Sequence, residues 1–307
     1  MKPSSWYYSF LVFVAGCSFG ALSTIVKKAY EHGYTLGEVT GSQVLTGVLM
    51  LWGIFLLGRS WRHSHGQVDG HHVSPGILRL KLIAAGVFPG LVGVCYYQCV
   101  NLMPASVAIV LLMQYLWISA LIDYLVFGQR PGLVQMGCIL LVMLGSCLAV
   151  NIIGQDVELS VPGIMFGLAA AVFYALFIMI SGRMGNHLPS ALKSALMMTG
   201  SCIVIFILFP PGFLLDMDKL GPLLKFGIPL GLLGIALPTM LFAIAIPRIG
   251  VALGAILSSS ELPMAMLCSY LILKEHIEMI QWIGMVVILG AIIISNLWVA
   301  RVDARSR

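Results

Sequence analysis

The chain has 307 residues and a formal net charge of +5, yet it is 60% hydrophobic and only 9% charged, with a mean hydropathy of +1.00. A soluble domain needs roughly a quarter of its residues charged to hydrate its surface, so that class is excluded and a lipid bilayer is the medium this chain is built for. The basic residues stand singly between apolar runs and form no patch or basic helix, which excludes nucleic acid as a partner.

Ten apolar runs, at about 6–26, 36–57, 81–100, 104–127, 132–150, 161–181, 189–210, 226–246, 250–273 and 279–299, each approach the ~20 residues an α-helix needs to cross hydrocarbon. The expected fold is all-α and polytopic. Within the first run, Val14, Ala15, Gly16 and Cys17 resemble the motif at which bacterial lipoproteins are cleaved and acylated. A processed signal has an apolar stretch of ~7 to 15 residues, whereas this one continues to Val26. A first membrane-spanning helix is the better fit, with an acylated lipoprotein as an alternative.

The connection 59–80 carries His63, His65, His71 and His72 beside Asp69. With no Cys partner and no helix to fix ligand spacing, it reads as a solvated linker ahead of a metal site. All seven cysteines fall inside predicted spans, so neither a disulfide framework nor a paired zinc site is indicated; no metal or other cofactor is expected. With both termini in the cytoplasm, twelve of the seventeen Lys and Arg residues lie on the inner side, while Glu31, Glu38, Asp156, Glu158, Asp216, Asp218, Glu275 and Glu278 collect outside. Basic residues near span ends set orientation. The expected location is a bacterial cytoplasmic membrane, crossed several times, with both termini inside.

The two halves, 1–155 and 156–307, read as one unit written twice. Gly16, Phe19 and Gly20 reappear as Gly163, Phe166 and Gly167, and Tyr115 falls opposite Glu261 at the spacing that also matches Gln135 with Gln281. With five spans per half, the second copy enters from the opposite side, giving two inverted five-helix repeats. Secondary transporters commonly use that arrangement and bind their solute at the midplane between repeats.

Helical spacing puts Gly254, Ser258, Glu261, Ala265 and Cys268 on one stripe of the ninth run. A carboxylate isolated in hydrocarbon costs about 2.5–3.5 kcal/mol on insertion scales, so Glu261 must face protein, a polar partner or water. Two roles stay open for it: a group held within a seam of small residues, or one that meets a solute or a proton. Pro263 follows and Pro238 stands in the eighth run; each lacks an amide donor and marks a bend that could serve as a gate. The fourth run offers Tyr115 with Gln114 beside it, and Asp123 a turn further on is expected to snorkel or to pair near Arg130. The third run carries Tyr96, Tyr97 and Gln98 among glycines, the sixth Tyr174 and the eighth Thr239. Their convergence in matched spans predicts a shared cavity lined by Glu261, Tyr115, Gln114, Tyr96, Tyr97, Gln98, Ser258, Tyr174 and Thr239.

No phosphate loop GxxxxGK[ST] and no HExxH occurs, and GxSxG is nowhere joined by a His at depth, so ATP hydrolysis and membrane proteolysis lack their residues. An integral-membrane enzyme using Glu261 as a buried acid is the remaining catalytic alternative.

The run Glu261, Leu262, Pro263, then Lys274 and Glu275, then Gln281, Ile283, Gly284 and Gly290 resembles the end-of-repeat pattern of EamA-type members of the drug/metabolite transporter superfamily. The likeness covers nearly the whole chain in two copies. The first copy departs from the pattern: Leu116 and Trp117 stand where a proline is expected, and Gln129 with Arg130 replaces the acidic turn. The resemblance implies a basket-like bundle of ten helices around a central cavity, and a secondary transporter that exports or exchanges small metabolites such as amino acids or amphipathic solutes by alternating access. The implied partners are a small-molecule solute, the bilayer, and protons or another coupling ion. The predicted cavity offers an acid, amides and aromatic rings without a mid-depth Lys or Arg, which favours cationic, zwitterionic or amphipathic aromatic solutes over phosphorylated ones.

Overall fold

The computed structural model describes residues 5–64, 76–103, 105–129, 131–150, 160–274 and 276–305. Most of the His-containing segment, with Arg130 and Glu275, lies outside them. The described residues hold ten helices long and apolar enough to cross a membrane: α1 Ser5–Glu31, α2 Leu36–Gly58, α3 Gly76–Leu102, α4 Val107–Phe127, α5 Leu133–Val150, α6 Val161–Arg183, α7 Ser190–Leu208, α8 Asp218–Ile249, α9 Val251–Ile272 and α10 Met279–Trp298. The predicted spans match in number and order. Three run clearly longer than hydropathy indicates, because turns carrying polar residues continue them: α1 extends beyond Val26 to Glu31, α3 starts at Gly76 instead of 81, and α8 starts at Asp218 instead of 226.

Local chemistry sets the helix ends. Thr35 and Glu38 form a reciprocal cap before α2, with the Thr35 amide donating to the Glu38 carboxylate at 2.8 Å and the Glu38 amide to the Thr35 hydroxyl at 3.4 Å. The Ser160 hydroxyl accepts from the Gly163 amide ahead of α6, and Asp216 accepts from the Lys219 amide ahead of α8. A single residue, Gly250, links α8 to α9 at φ +88°, a backbone conformation other residues adopt only under strain. Large apolar side chains such as Leu57, Leu133, Ile207 and Leu271 point outward, the position of acyl chains for a helix bundle in a bilayer.

The helices of each half pack chiefly on the other half. α1 lies on α8 and α9, while its counterpart α6 lies on α3 and α4; α2 meets α7 and α8, α7 meets α2 and α3, and the fifth helices α5 and α10 pair with each other. This reciprocity is the packing signature of an inverted repeat. It depends on close backbone approach: a Cβ at Gly20 would stand 2.2 Å from the Glu261 carbonyl oxygen, and one at Gly284 the same distance from the Ala149 amide. The glycines of α1 therefore bring it directly onto the middle of α9. Because the spans among the described residues number ten, the start of α1 and the end of α10 lie on one side, which we term the terminal side.

Candidate functional site

Five helices around the centre of the bundle are interrupted: α1 turns at Ala21 and α3 at Gly86, and the breaks in α9, α4 and α8 each have a chemical cause. In α9, Val251–Ser258 is followed by a turn and then Glu261–Cys268. Pro263 cannot donate to the Ser259 carbonyl, which accepts from the Leu262 amide at 3.2 Å instead. The Ser259 and Ser260 amides turn back to the Ile256 and Leu257 carbonyls. The hydroxyls of Ser258, Ser259 and Ser260 donate to the carbonyls of Gly254, Ile256 and Phe13. In α4 the break falls at the matching place, between Ala105–Met113 and Tyr115–Phe127, with no proline present. There the Gln114 amide nitrogen of the backbone bonds the Leu111 carbonyl at 3.2 Å, and the Gln114 side-chain Nε2 takes the vacated Val110 carbonyl at 3.0 Å. In α8 a wide turn, Leu232–Ala236, precedes Pro238, and hydroxyls again take up the freed carbonyls: Ser18 donates to Leu233 at 2.5 Å and Thr239 to Ile235 at 2.6 Å.

Between the halves these interrupted helices enclose a chamber of about 570 Å³, bordered by α1, α2, α3, α4, α6, α7, α8 and α9. Its deep end is lined by Phe19, Tyr174, Phe177, Thr239 and Glu261. Lys27, Tyr30, Thr40, Val100 and Ser269 line it nearer the helix ends remote from the termini, so the chamber occupies the half of the bundle away from the terminal side. No group among the described residues hydrogen-bonds or ion-pairs with the Glu261 carboxylate. The buried Tyr174 hydroxyl also has no hydrogen-bond partner. Glu261 and Tyr174 of the chamber wall thus have no hydrogen-bond partner for these groups among the described residues, and the Tyr174 hydroxyl is turned away from solvent.

Of the residues the sequence points to, Glu261, Tyr96, Tyr97, Tyr174 and Thr239 line the chamber, and Tyr115, Gln114, Gln98 and Ser258 do not. Tyr115 is fully buried one layer behind, its ring edge-on to Tyr174 at 4.5 Å between centroids and its hydroxyl donating to the Ala255 carbonyl. Gln114 is spent on the α4 break, and its Oε1 accepts from the Trp117 indole at 2.8 Å. Gln98 is exposed and accepts from Asn101, one turn on. The Ser258 hydroxyl is buried on Gly254. Pro238 and Pro263 are both buried beside breaks in their helices. Lipoprotein-like Cys17 sits within the continuous turns of Ser5–Gly20.

Toward the terminal side the chamber is closed by stacked rings. Tyr174 and Phe177 lie parallel at 6.1 Å, and Phe242 packs on both Phe177 and Phe19 at about that distance, 6.0 and 5.9 Å. Beneath this plug the helices are tied by charge. Arg183 Nη2 pairs with Asp123 at 2.5 Å, and the guanidinium also lies 4.1 Å from the centre of the Phe127 ring. Asp123 therefore joins α4 to α6 through Arg183, where the sequence suggests a pairing near Arg130. The Lys193 ammonium, 1% exposed, donates to the Ser181 carbonyl and to Asn186 Oδ1. Arg248 donates to the Tyr8 hydroxyl at 2.6 Å, joining α8 to α1.

Reading single spans missed Phe19, Ser23, Gln43 and Ser201 of the chamber wall. Gly20 and Gly90 mark their faces, but the direction each face takes is set by the breaks. Among the described residues no cluster of His, Cys, Asp or Glu could hold a metal ion.

The search of curated proteins returned no match. A crystal structure aligns with the chain at a TM-score of 0.72 over 96% of this chain and 97% of its own, with 16% sequence identity, a likeness of fold. The sequence profile of the EamA-like transporter family matches twice, over residues 6–151 and 161–297. These two segments cover both halves that the helix pairings relate to each other, and the chain belongs to the EamA-like transporter family.

Proposed function

We propose that this transporter exports or exchanges small metabolites, of the class of amino acids or of amphipathic solutes, across a bacterial cytoplasmic membrane by alternating access, with both termini in the cytoplasm. The observation that carries the reading is the contrast between the chamber, which reaches toward the side away from the termini, and the ring plug and charged ties that close the terminal side. A central site reached from one face and sealed at the other is one of the two states such a cycle needs. Positive-inside counting supports the orientation, which makes this the outward-facing state.

Glu261 is the group through which we couple transport to protons: it is a membrane-embedded acid on a broken helix, and such groups mark ion and proton pathways. Reconstitution into proteoliposomes tests both statements. Solute uptake or counterflow that requires sealed vesicles is expected for the wild-type protein. Glu261→Gln is expected to abolish pH-driven uptake while solute exchange persists. Conversion of a solute in unsealed preparations would instead make the protein an enzyme, and pH-driven uptake by the variant would remove Glu261 from coupling.

A further inference from the structure

We propose that the solute is a monovalent organic cation with a bulky aromatic or apolar body, an amine rather than an amino acid, whose charge rests on Glu261. This rests on the transporter reading above and narrows it.

Charge comes first. Among the described residues that line the chamber only Glu261 and Lys27 carry charge. Gly20 abuts the Glu261 backbone, and Lys27 lies seven residues further along α1, a rise of roughly 10 Å at 1.5 Å per residue. An α-amino acid separates its ammonium and carboxylate by one carbon, so it cannot satisfy both ends at once. With its ammonium on Glu261 its carboxylate would meet the polar side chains of Ser23, Gln43, Ser201 and Thr239 but no cation, and a charge taken from water without a counter-charge is costly. An anionic solute meets the unpaired carboxylate directly and is repelled.

The walls add the second argument. Phe19, Tyr96, Tyr97, Tyr174 and Phe177 surround the approach to Glu261, and aromatic faces attract a desolvated cation. A small hydrated inorganic ion would leave these rings uncovered, whereas an organic cation brings an apolar body that covers them. The chamber volume of about 570 Å³ lies within the range of pockets that enclose drug-sized molecules. Finally, Tyr174 belongs to the chamber wall, and its hydroxyl, buried without a partner, can accept an N–H of an ammonium held by Glu261 once its side chain turns toward the chamber.

Equilibrium binding to the purified full-length protein in detergent tests the class without requiring transport. The probes share one two-ring body: 3,3-diphenylpropylamine, 3,3-diphenylalanine and 3,3-diphenylpropionate. The amine is expected to bind at least tenfold more tightly than the amino acid, and the propionate most weakly. Glu261→Gln is expected to remove that preference, and Tyr174→Phe to weaken amine binding severalfold. Equal or tighter binding of the amino acid or the propionate overturns the proposal, as does absence of amine binding at millimolar concentration, or a Glu261→Gln protein that keeps the preference. Should Glu261→Gln fail to assemble, the wild-type order and Tyr174→Phe decide. An amine that binds with the expected order but never crosses a sealed vesicle would sink the transporter reading and leave the class standing. Solutes that cross without any amine preference would do the reverse.

Discussion

On the side away from the termini the charged tie between α2 and α8 is loose. Lys219 reaches Glu38 at 3.9 Å and Asp216 at 3.8 Å with its side chain 60% exposed. At the terminal side Arg183 and Asp123 meet at 2.5 Å with side chains only 30% and 9% exposed. Lys193 is wholly enclosed there, and Arg248 reaches across to Tyr8. Exposed ion pairs contribute about 0–1 kcal/mol, whereas breaking a buried pair by removing one partner costs about 3–5 kcal/mol. The two ends thus differ in how strongly they resist separation, and the bundle rests with its weaker end apart.

That comparison can be broken at several points. The largest effect is expected from Gly20→Leu, which removes the approach of α1 to α9 on which both ends depend. The added side chain meets the Glu261 carbonyl oxygen, the Ala265 amide and the Met264 Cβ, none of them the far end of a flexible side chain, so a loss of about 3 kcal/mol or more and failure to elute as a single species on size exclusion are expected. A monodisperse, thermally unchanged variant would show that α1 does not sit where the chamber requires it.

Next, Arg183→Ala leaves Asp123 buried without a cation and is expected to lower stability by about 3 kcal/mol, read as a lower melting temperature. Faster amide exchange should appear around 181–187, where the α6 end and Lys193 meet. Unaltered exchange there would mean that the ion pair does not seal the terminal side. Tyr8→Phe removes one hydrogen bond to a guanidinium and is expected to cost about 1–2 kcal/mol; a neutral result would place the seal on Asp123 and Arg183 alone. Lys219→Ala, at the loose end, is expected to change stability by less than about 0.5 kcal/mol. A shift as large as that of Arg183→Ala would erase the difference between the ends.

Span number, order and repeat were legible in the sequence because hydrophobic length and glycine spacing are local signals. So was the depth of Glu261, which an isolated acid in an apolar run announces. What was not legible is which side chains turn inward. Tyr115 and Ser258 share helical stripes with the chamber-facing Leu112 and Glu261, and Gln114 stands beside Tyr115, yet the turns at Gln114 and at Ser259–Ser260 break the register of those stripes. Helical periodicity assumes an unbroken helix, and here the break sits at the site. Long-range partners were equally hidden: nothing near Asp123 in the chain points to Arg183, sixty residues away.

The matched interruptions in α4 and α9 are made of different chemistry, and this gives the molecule a mechanical asymmetry. At Pro263 the backbone has permanently lost its donor, so α9 keeps its elbow in any conformation. At Gln114 the backbone amide is present, merely diverted to Leu111 while the side chain occupies the Val110 carbonyl; releasing that side chain lets the regular ladder re-form. One copy of the duplicated unit therefore carries a joint that lacks its donor and the other a joint whose donor is intact, so of the two breaks only that in α4 keeps the groups a regular helix needs.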